Sequence, residues 1–153
     1  MTVDVGTVAP DFELQNQFGE SVSLSAFAGK KPVALVFYPL AFTGTCTGEL
    51  CELRDNIAMF ADANVELLAI SVNNKATLRV FAEQEGYDFS LLGDFWPHGE
   101  VARKYGVFIE EAGIATRATF LIDTDGVVRA AFQTAPGQAR DLAAYREALA
   151  AIA

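Results

Sequence analysis

The stretch VALVFYPLAFTGTC, residues 33–46, contains the pattern that sets the architecture of this chain. Its first six residues form an unbroken apolar run, which is typical of a strand that is covered on both faces of a sheet. A loop beginning at Pro39 follows, and a helical pattern starts near Gly44. The stretch therefore predicts a buried strand, a short loop and a helix, with Cys46 in the first turn of that helix.

Outward from this stretch, strand and helix patterns alternate along the chain. The predicted strands cover residues 12–15, 22–24, 33–38, 65–72, 117–122 and 127–132, and the predicted helices cover residues 44–61, 77–85 and 140–152. The first two strands form an N-terminal β-hairpin, and Asp125-Gly126 marks the turn of a second hairpin. We expect an α/β fold in which helices cover both faces of a mixed central sheet. The length of 153 residues predicts one domain, spanning residues 1–153.

The composition excludes several classes of protein. Hydrophobic residues make up 52% and charged residues 20%, which indicates a well-buried globular domain. A net charge of −9 leaves no basic stripe for nucleic acid and disfavours an anionic membrane surface. One histidine and two cysteines exclude multi-histidine and four-sulfur metal sites. We therefore expect no metal and no organic cofactor, and, because no transmembrane run or secretory leader is visible, a cytoplasmic protein.

Cys46 is the first candidate for chemistry, because it lies at a predicted helix start. The first amide N–H groups of a helix lack intrahelical partners and carry the positive end of the helix dipole, so they stabilise a thiolate. Cysteines placed in this way commonly have a pKa of about 3.5–7.5. Helical spacing puts Cys46 on the face of Leu50, Leu53 and Ile57, toward the sheet. Position alone leaves two interpretations open, a reactive thiol or a buried cysteine that packs as a small apolar side chain.

Three segments carry a more specific signal: the pattern Pro39-x-x-x-Thr43-x-x-Cys46, residues 6–12 (GTVAPDF) and residues 117–123 (RATFLID). They resemble the signature loop, the N-terminal segment and the arginine-bearing strand of the peroxiredoxins, in that order. Residues 42–44, 48–50 and 94–99 are most similar to the alkyl hydroperoxide reductase E class of that family. The resemblance implies a thioredoxin-like fold and a thiol peroxidase that reduces hydrogen peroxide and organic hydroperoxides.

The resemblance also implies a role for the residues of these segments. The Cys46 thiolate would attack the terminal oxygen of a peroxide, leaving a cysteine sulfenic acid and releasing water or an alcohol. The Thr43 hydroxyl would donate a hydrogen bond to a peroxide oxygen, and Pro39 would shield the thiolate. Arg117 would hold the thiolate form and polarise the O–O bond. Without the cysteine loop, Arg117 would be interpreted as a surface charge that opens a strand.

Several neighbouring residues have simpler interpretations beside the functional one. Glu49 would orient the arginine in the class that the chain resembles, but a glutamate in a first helical turn also interacts favourably with the helix dipole, and both interpretations stay open. Trp96 is most simply a hydrophobic anchor at a rim or a dimer interface. His98 is expected near the start of a helix that begins beyond Pro97. Thr119 is expected in a core strand and not in the site.

Cys51 departs from the class that the chain most resembles, which generally works with one cysteine. Its spacing from Cys46 instead resembles the bacterioferritin-comigratory class, in which the second cysteine resolves the sulfenic acid. Five residues of helix give about 7.5 Å of rise and about 140° of rotation, whereas a disulfide needs Cα atoms within roughly 7 Å. Resolution would therefore require the first turn to unwind, which Gly44 and Gly48 make easier. The alternative is a cysteine that only packs against another element.

The partners follow from the same resemblance. Electrons would return from thioredoxin, or from a mycoredoxin-type system if Cys51 is idle, and a homodimer is expected, with Phe42 and Trp96 as contact residues. Two rival functions stay open at this point. A thioredoxin-like disulfide oxidoreductase would need a Cys-x-x-Cys pair, which the spacing of Cys46 and Cys51 does not provide. A non-enzymatic redox sensor or holdase could use the same fold to bind a partner.

Overall fold

The strand predicted from the central apolar run is an interior strand of a seven-stranded sheet in the computed structural model, which describes residues 3–152. Met1, Thr2 and Ala153, which the predicted domain includes, lie outside the described residues. The strands are β1 (Glu13–Gln15), β2 (Ser21–Ser23), β3 (Val33–Phe37), β4 (Glu66–Ser71), β5 (Ser90–Gly93), β6 (Phe108–Ile109), β7 (Ile114–Ala115), β8 (Arg117–Ile122) and β9 (Val128–Thr134). The helices are α1 (Gly44–Asp55), α2 (Ala58–Asp62), α3 (Lys75–Glu85), α4 (Glu100–Lys104) and α5 (Leu142–Ala150), and Leu24–Phe27 forms a 3₁₀ turn.

The sheet is mixed, as predicted. Its strand order is β2-β1-β5-β4-β3-β8-β9. Strand β3 pairs in parallel with β4 and antiparallel with β8, and every residue of β3 and of β8 is buried. The register sets Phe37, the last residue of β3, opposite Ala118, the second residue of β8. The first residue of β8 is therefore brought to the carboxyl end of β3.

Helices cover both faces of this sheet. Alternate residues of β3 belong to two separate apolar clusters. On one face, Ala34 and Val36 pack in a cluster that includes buried side chains of α1, α2, α3 and α5. On the other face, Leu35 and Phe37 pack in a cluster that includes α4 and the 3₁₀ turn. The prediction of a mixed sheet with helices on both faces is confirmed, and the fold is thioredoxin-like.

The structure corrects the bounds of all three predicted helices, and α3 begins two residues earlier than predicted, at Lys75. The single helix predicted over residues 44–61 is two helices, because Asn56 leaves the helical conformation and its side chain donates to the carbonyl of Glu52. Asparagine side chains commonly end helices by competing for backbone hydrogen bonds in this way. The closing helix begins at Leu142 and not at residue 140, because Asp141 caps it by accepting from the amide of Ala143. Arg140 therefore precedes the helix.

Three strands were not predicted. Strand β5 and the two-residue strands β6 and β7 are too short for their periodicity to be recognised in the sequence. Helix α4 begins at Glu100, beyond Pro97, as expected. Gly93 ends β5 where a Cβ atom would come within 2.6 Å of the carbonyl oxygen of Asn73, so only glycine fits this close approach. Within residues 3–152, no helix is long and apolar enough to cross a membrane.

Candidate active site

Cys46 is fully buried at the third position of α1, just beyond the carboxyl end of β3. Its predicted place in the first turn of a helix is confirmed. The helix has no acidic residue in its first turn, and the N-cap residue Thr43 makes no side-chain hydrogen bond to that turn. The amide groups at this end of α1 therefore leave positive potential beside the Cys46 sulfur.

Arg117 lies directly against this sulfur. The guanidinium Nη2 donates to Cys46 Sγ over 3.1 Å, and Nε donates to the carbonyl of Pro136 over 2.7 Å. Only 1% of the surface of Arg117 is exposed, so its interpretation as a surface charge is wrong. The pairing of β3 with β8 explains the contact, because it sets the first residue of β8 beside the loop that leaves β3.

Glu49 is the carboxylate of the site. It is buried one turn beyond Cys46, and its Oε1 accepts from Nη1 of Arg117 over 3.0 Å. Burial by itself would raise the pKa of the Glu49 carboxyl, but hydrogen bonds and charge from Arg140, together with the charge of Arg117, hold that pKa below its ordinary value. The structure thus favours the interpretation in which Glu49 orients the arginine over one in which it only interacts with the helix dipole.

Arg140 was missed by the sequence analysis, which placed it inside the closing helix. It is buried and donates three hydrogen bonds to Glu49: from its backbone amide over 2.7 Å, from Nε over 2.9 Å and from Nη2 over 2.6 Å. Its Nη1 donates to the hydroxyl of Thr119, which also bonds Tyr145. One signal could have revealed it, since Asp141 is a typical N-cap residue and sets the preceding arginine outside the helix.

The charges of this buried group balance in only one protonation state of Cys46. Arg117 and Arg140 contribute two positive charges and Glu49 one negative charge. A neutral thiol would leave one positive charge uncompensated among groups that are nearly inaccessible to water, which is costly. A negative charge at the Cys46 sulfur would balance this excess positive charge.

Thr43 and Pro39 lie on the loop that precedes α1. Pro39 is buried, and Asn73 anchors the loop by accepting from the amide of Ala41 over 2.9 Å. The Thr43 side chain is exposed and donates to the carbonyl of Leu40 over 3.1 Å. Among the described residues, no hydrogen bond joins Thr43 to Cys46. The hydroxyl proton of Thr43 is thus donated to the carbonyl of Leu40, a contact that the sequence did not predict.

The hydroxyl of Tyr38, the residue after β3, also faces this region. In the described part of the chain, it is the one buried side-chain oxygen or nitrogen without a hydrogen-bond partner. Burial raises the pKa of Tyr38 far above its ordinary value, and the nearby Cys46 contributes to that rise. The hydroxyl therefore remains protonated close to the sulfur. The apolar run of residues 33–38 predicts Tyr38 only as part of the central strand.

Cys51 lies on the same helix as Cys46 but faces different neighbours. Both cysteines are free, and α1 is continuous through both positions. Cys51 Sγ donates to Glu85 Oε2 over 3.4 Å and lies 3.3 Å from the hydroxyl of Tyr87. In this intact helix the two sulfurs cannot form a disulfide, so the requirement for unwinding that was inferred from the spacing still applies.

Within the described structure, Trp96 and His98 make no hydrogen bond to the buried group formed by Cys46, Glu49, Arg117 and Arg140. Trp96 is 82% exposed, so its side chain is open to a partner. His98 lies just before α4, and its Nε2 bonds the carbonyl of Gly113 over 2.7 Å. Across residues 3–152, no group of three histidine, cysteine, aspartate or glutamate side chains could hold a metal ion.

Comparisons with known proteins place the chain in a family. A family model described as AhpC/TSA family matches residues 5–131. Over 150 residues, the chain is 49% identical to alkyl hydroperoxide reductase E of Mycobacterium tuberculosis, and the match covers 98% of both chains. It is 38% identical over 133 residues to peroxiredoxin Bcp of Escherichia coli, covering 83% of each. A crystal structure of peroxidoxin BcpB from Mycobacterium tuberculosis superposes with a TM-score of 0.84 at 34% identity, covering 97% of this chain and 96% of that one.

Proposed function

Because the chain belongs to the AhpC/TSA family of peroxiredoxins and is a thiol-dependent peroxidase, we propose that Cys46 is the sulfur that attacks the peroxide. The observation that carries the proposal is the 3.1 Å contact between Arg117 Nη2 and Cys46 Sγ inside a buried cluster. A permanent guanidinium charge and the helix amides together stabilise a thiolate at this position. No other cysteine in the chain has such surroundings, since Cys51 faces a carboxylate and a phenol.

The chemical step displaces water or an alcohol from the peroxide. The Cys46 thiolate forms an S–O bond to the terminal oxygen as the O–O bond breaks, and the leaving oxygen takes a proton to become water or an alcohol. Sulfur is oxidised to the sulfenic acid and the peroxide is reduced. Negative charge moves onto the leaving oxygen, and Arg117 and the amides of α1 are the donors that stabilise it.

Thr43 and Pro39 would shape the peroxide site. The Thr43 hydroxyl donates to Leu40, so its oxygen is free to accept a hydrogen bond from the O–H group of a hydroperoxide. This differs from the donor role that the sequence suggested. Pro39 is buried beside the loop and offers no amide donor, which keeps water from the sulfur without adding a competing hydrogen bond.

Glu49 and Arg140 would act as positioning residues. Glu49 fixes one edge of the Arg117 guanidinium, and Arg140 in turn fixes Glu49 through three hydrogen bonds. Since these side chains are held by packing and by each other, Arg117 needs no rearrangement when the charge shifts during the reaction.

Cys51 would resolve the sulfenic acid, forming a Cys46–Cys51 disulfide and releasing water. A thiol reductant of the thioredoxin or mycoredoxin type would then return both cysteines to the free form. Two free cysteines fit a reducing compartment such as the cytoplasm.

Hydrogen peroxide and organic hydroperoxides are the expected substrates. The exposed side chains of Phe42 and Trp96 support a homodimer of this one-domain chain.

The test compares three proteins during a single turnover. After one equivalent of hydrogen peroxide, the wild-type protein should lose two hydrogens by intact mass, whereas Cys51→Ser should gain one oxygen at Cys46. Cys46→Ser should consume peroxide no faster than free cysteine does. Unchanged peroxide consumption by Cys46→Ser would contradict the assignment of the reactive sulfur.

A further inference from the structure

Cys51 lies in a small polar cluster that the peroxide chemistry at Cys46 does not use. Its sulfur donates to Glu85 Oε2 over 3.4 Å and lies 3.3 Å from the Tyr87 hydroxyl. Tyr87 in turn donates to the carbonyl of Thr47 over 3.3 Å. Glu85 ends α3 and Tyr87 follows it, so both groups reach Cys51 from outside α1. The cluster would stay beside Cys51 even if the first turn of α1 unwound.

The resolving reaction has a chemical requirement that this cluster meets. Only a thiolate attacks a sulfenic acid at a useful rate, and an ordinary cysteine with a pKa of about 8.5 is mostly protonated at neutral pH. Unlike Cys46, Cys51 is neither in the first turn of α1 nor bonded to an arginine. The carboxylate of Glu85, which accepts the hydrogen bond from the Cys51 thiol, is the neighbouring group that could remove its proton.

We propose that Glu85 is the general base for the resolving step and that Tyr87 stabilises the Cys51 thiolate that results. The proposal rests on the proposed function, in which Cys51 resolves the Cys46 sulfenic acid. Glu85 takes the proton of Cys51, the thiolate forms the S–S bond with Cys46, and the S–O bond of the sulfenic acid breaks. The departing hydroxide takes up a proton and leaves as water, so the protein ends as the disulfide.

Tyr87 links this proton transfer to the unwinding of α1. In the reduced form its hydroxyl proton is directed to the Thr47 carbonyl, which belongs to the first turns of the helix. When those turns unwind, this acceptor moves away and the hydroxyl is free to donate to Cys51 Sγ. Burial, followed by the interactions with Cys51, raises the pKa of Tyr87 well above its ordinary value, so the hydroxyl keeps its proton for this role.

The other charged groups around Cys51 do not compete for its proton. Arg54 on α1 donates to the backbone carbonyl of Glu85 and pairs with the carboxylate of Asp55. Its permanent positive charge lies near both Cys51 and Tyr87, and a guanidinium has no site that could accept a proton. Asp55 is bonded to Arg54 and not to the sulfur. Glu85 is thus the carboxylate that contacts Cys51 in the described structure.

The experiment follows disulfide formation after one equivalent of hydrogen peroxide, by acid quench and intact mass, between pH 6 and pH 8. Glu85→Gln keeps the size and packing of the side chain but removes the base. Its disulfide should form at least about tenfold more slowly than in the wild type at pH 7, and its rate should rise about tenfold per pH unit, as expected for an unassisted thiol. The wild-type rate should vary much less over this range.

Two further variants separate the proposed roles from structural damage. Glu83→Gln removes an exposed carboxylate of α3 that pairs with Arg79, and it should keep the wild-type rate and pH profile. Tyr87→Phe should slow the disulfide step while keeping the wild-type pH profile, because Glu85 remains.

Each contrary result has a distinct meaning. A Glu85→Gln rate and profile equal to wild type would overturn the role of Glu85. A wild-type sulfenic acid that persists would overturn the inference together with the resolving role of Cys51, while peroxide consumption would still support Cys46. Failure of the wild-type protein to consume peroxide at all would contradict the proposed function itself.

Discussion

At the scale of single residues, two arginines share one carboxylate beside Cys46. Glu49 accepts from both guanidinium groups, and all three side chains are nearly inaccessible to water. A group of this kind tolerates the loss of one member poorly, because the remaining charges stay buried without partners. The energetic role of Glu49 can be measured separately from the chemistry.

We expect Glu49→Gln to lower the free energy of unfolding at pH 7 by about 3 kcal/mol, as is typical when one partner of a buried ion pair is removed. The pKa of Glu49 is lowered from 4.5 in the folded protein, so its charge stabilises the fold above that pH and this contribution is lost as the pH falls through the lowered pKa. The difference between wild type and variant should therefore shrink in acid. Urea unfolding at a series of pH values checks this, and a pH-independent difference would contradict it.

At the scale of elements, the proposed function requires two different conformations of the first turns of α1. In the reduced protein these turns must be helical, so that amides and Arg117 surround Cys46. In the proposed resolving step they would unwind, because an intact helix keeps the two sulfurs apart. Glycines at positions 44 and 48 lower the stability of this part of the helix and so make its unwinding easier.

Gly48→Ala should stabilise the wound form of α1. The position is exposed, and an added Cβ would contact nothing within 4 Å, so alanine fits without strain. Alanine is favoured over glycine within a helix by about 1 kcal/mol, which corresponds to about a fivefold slower formation of the disulfide if unwinding precedes it. Time-resolved intact mass measures that rate, and Cys46 oxidation in the same trace serves as the internal reference. A more stable variant with an unchanged disulfide rate would show that unwinding does not limit resolution.

At the scale of the whole molecule, exposed aromatic side chains bear on assembly. Trp96 is 82% exposed and Phe42 is 48% exposed, whereas most other aromatic rings are buried. If these residues form the proposed dimer contact, Trp96→Glu should raise the dimer dissociation constant at least about tenfold, because it places a charge in an apolar interface.

Sedimentation velocity over a range of protein concentrations measures this change. Val8→Glu is a matched control, since Val8 is also highly exposed and lies beside the turn between β8 and β9, where no dimer contact is proposed. An unchanged distribution for Trp96→Glu, or an equal change for Val8→Glu, would contradict the proposed interface.

The sequence was most informative where a local pattern determines the structure. The apolar run of β3 and the start of α1 follow from the residues themselves, and α3 ends at residue 85, as predicted. Arg140 was not predicted, because its burial depends on contacts with Glu49, which lies 91 positions away in the chain. The donor direction of Thr43 depends on a loop conformation that no periodicity encodes.

The hydrogen bonds between Glu49 and Arg140 make the C-terminal part of the chain necessary for the arrangement of the site. The family model ends at residue 131, yet Pro136 and Arg140, which hold Arg117 and Glu49, come after it. A shortened protein that stopped there would keep its sulfur, its threonine and its strand-borne arginine, and would still be recognised by its motifs. It would lack residues 132–153, and with them the Pro136 carbonyl and the Arg140 side chain that hold Arg117 and Glu49 in place. Such a fragment would therefore match the family by sequence but would lack the contacts that orient the arginine for catalysis.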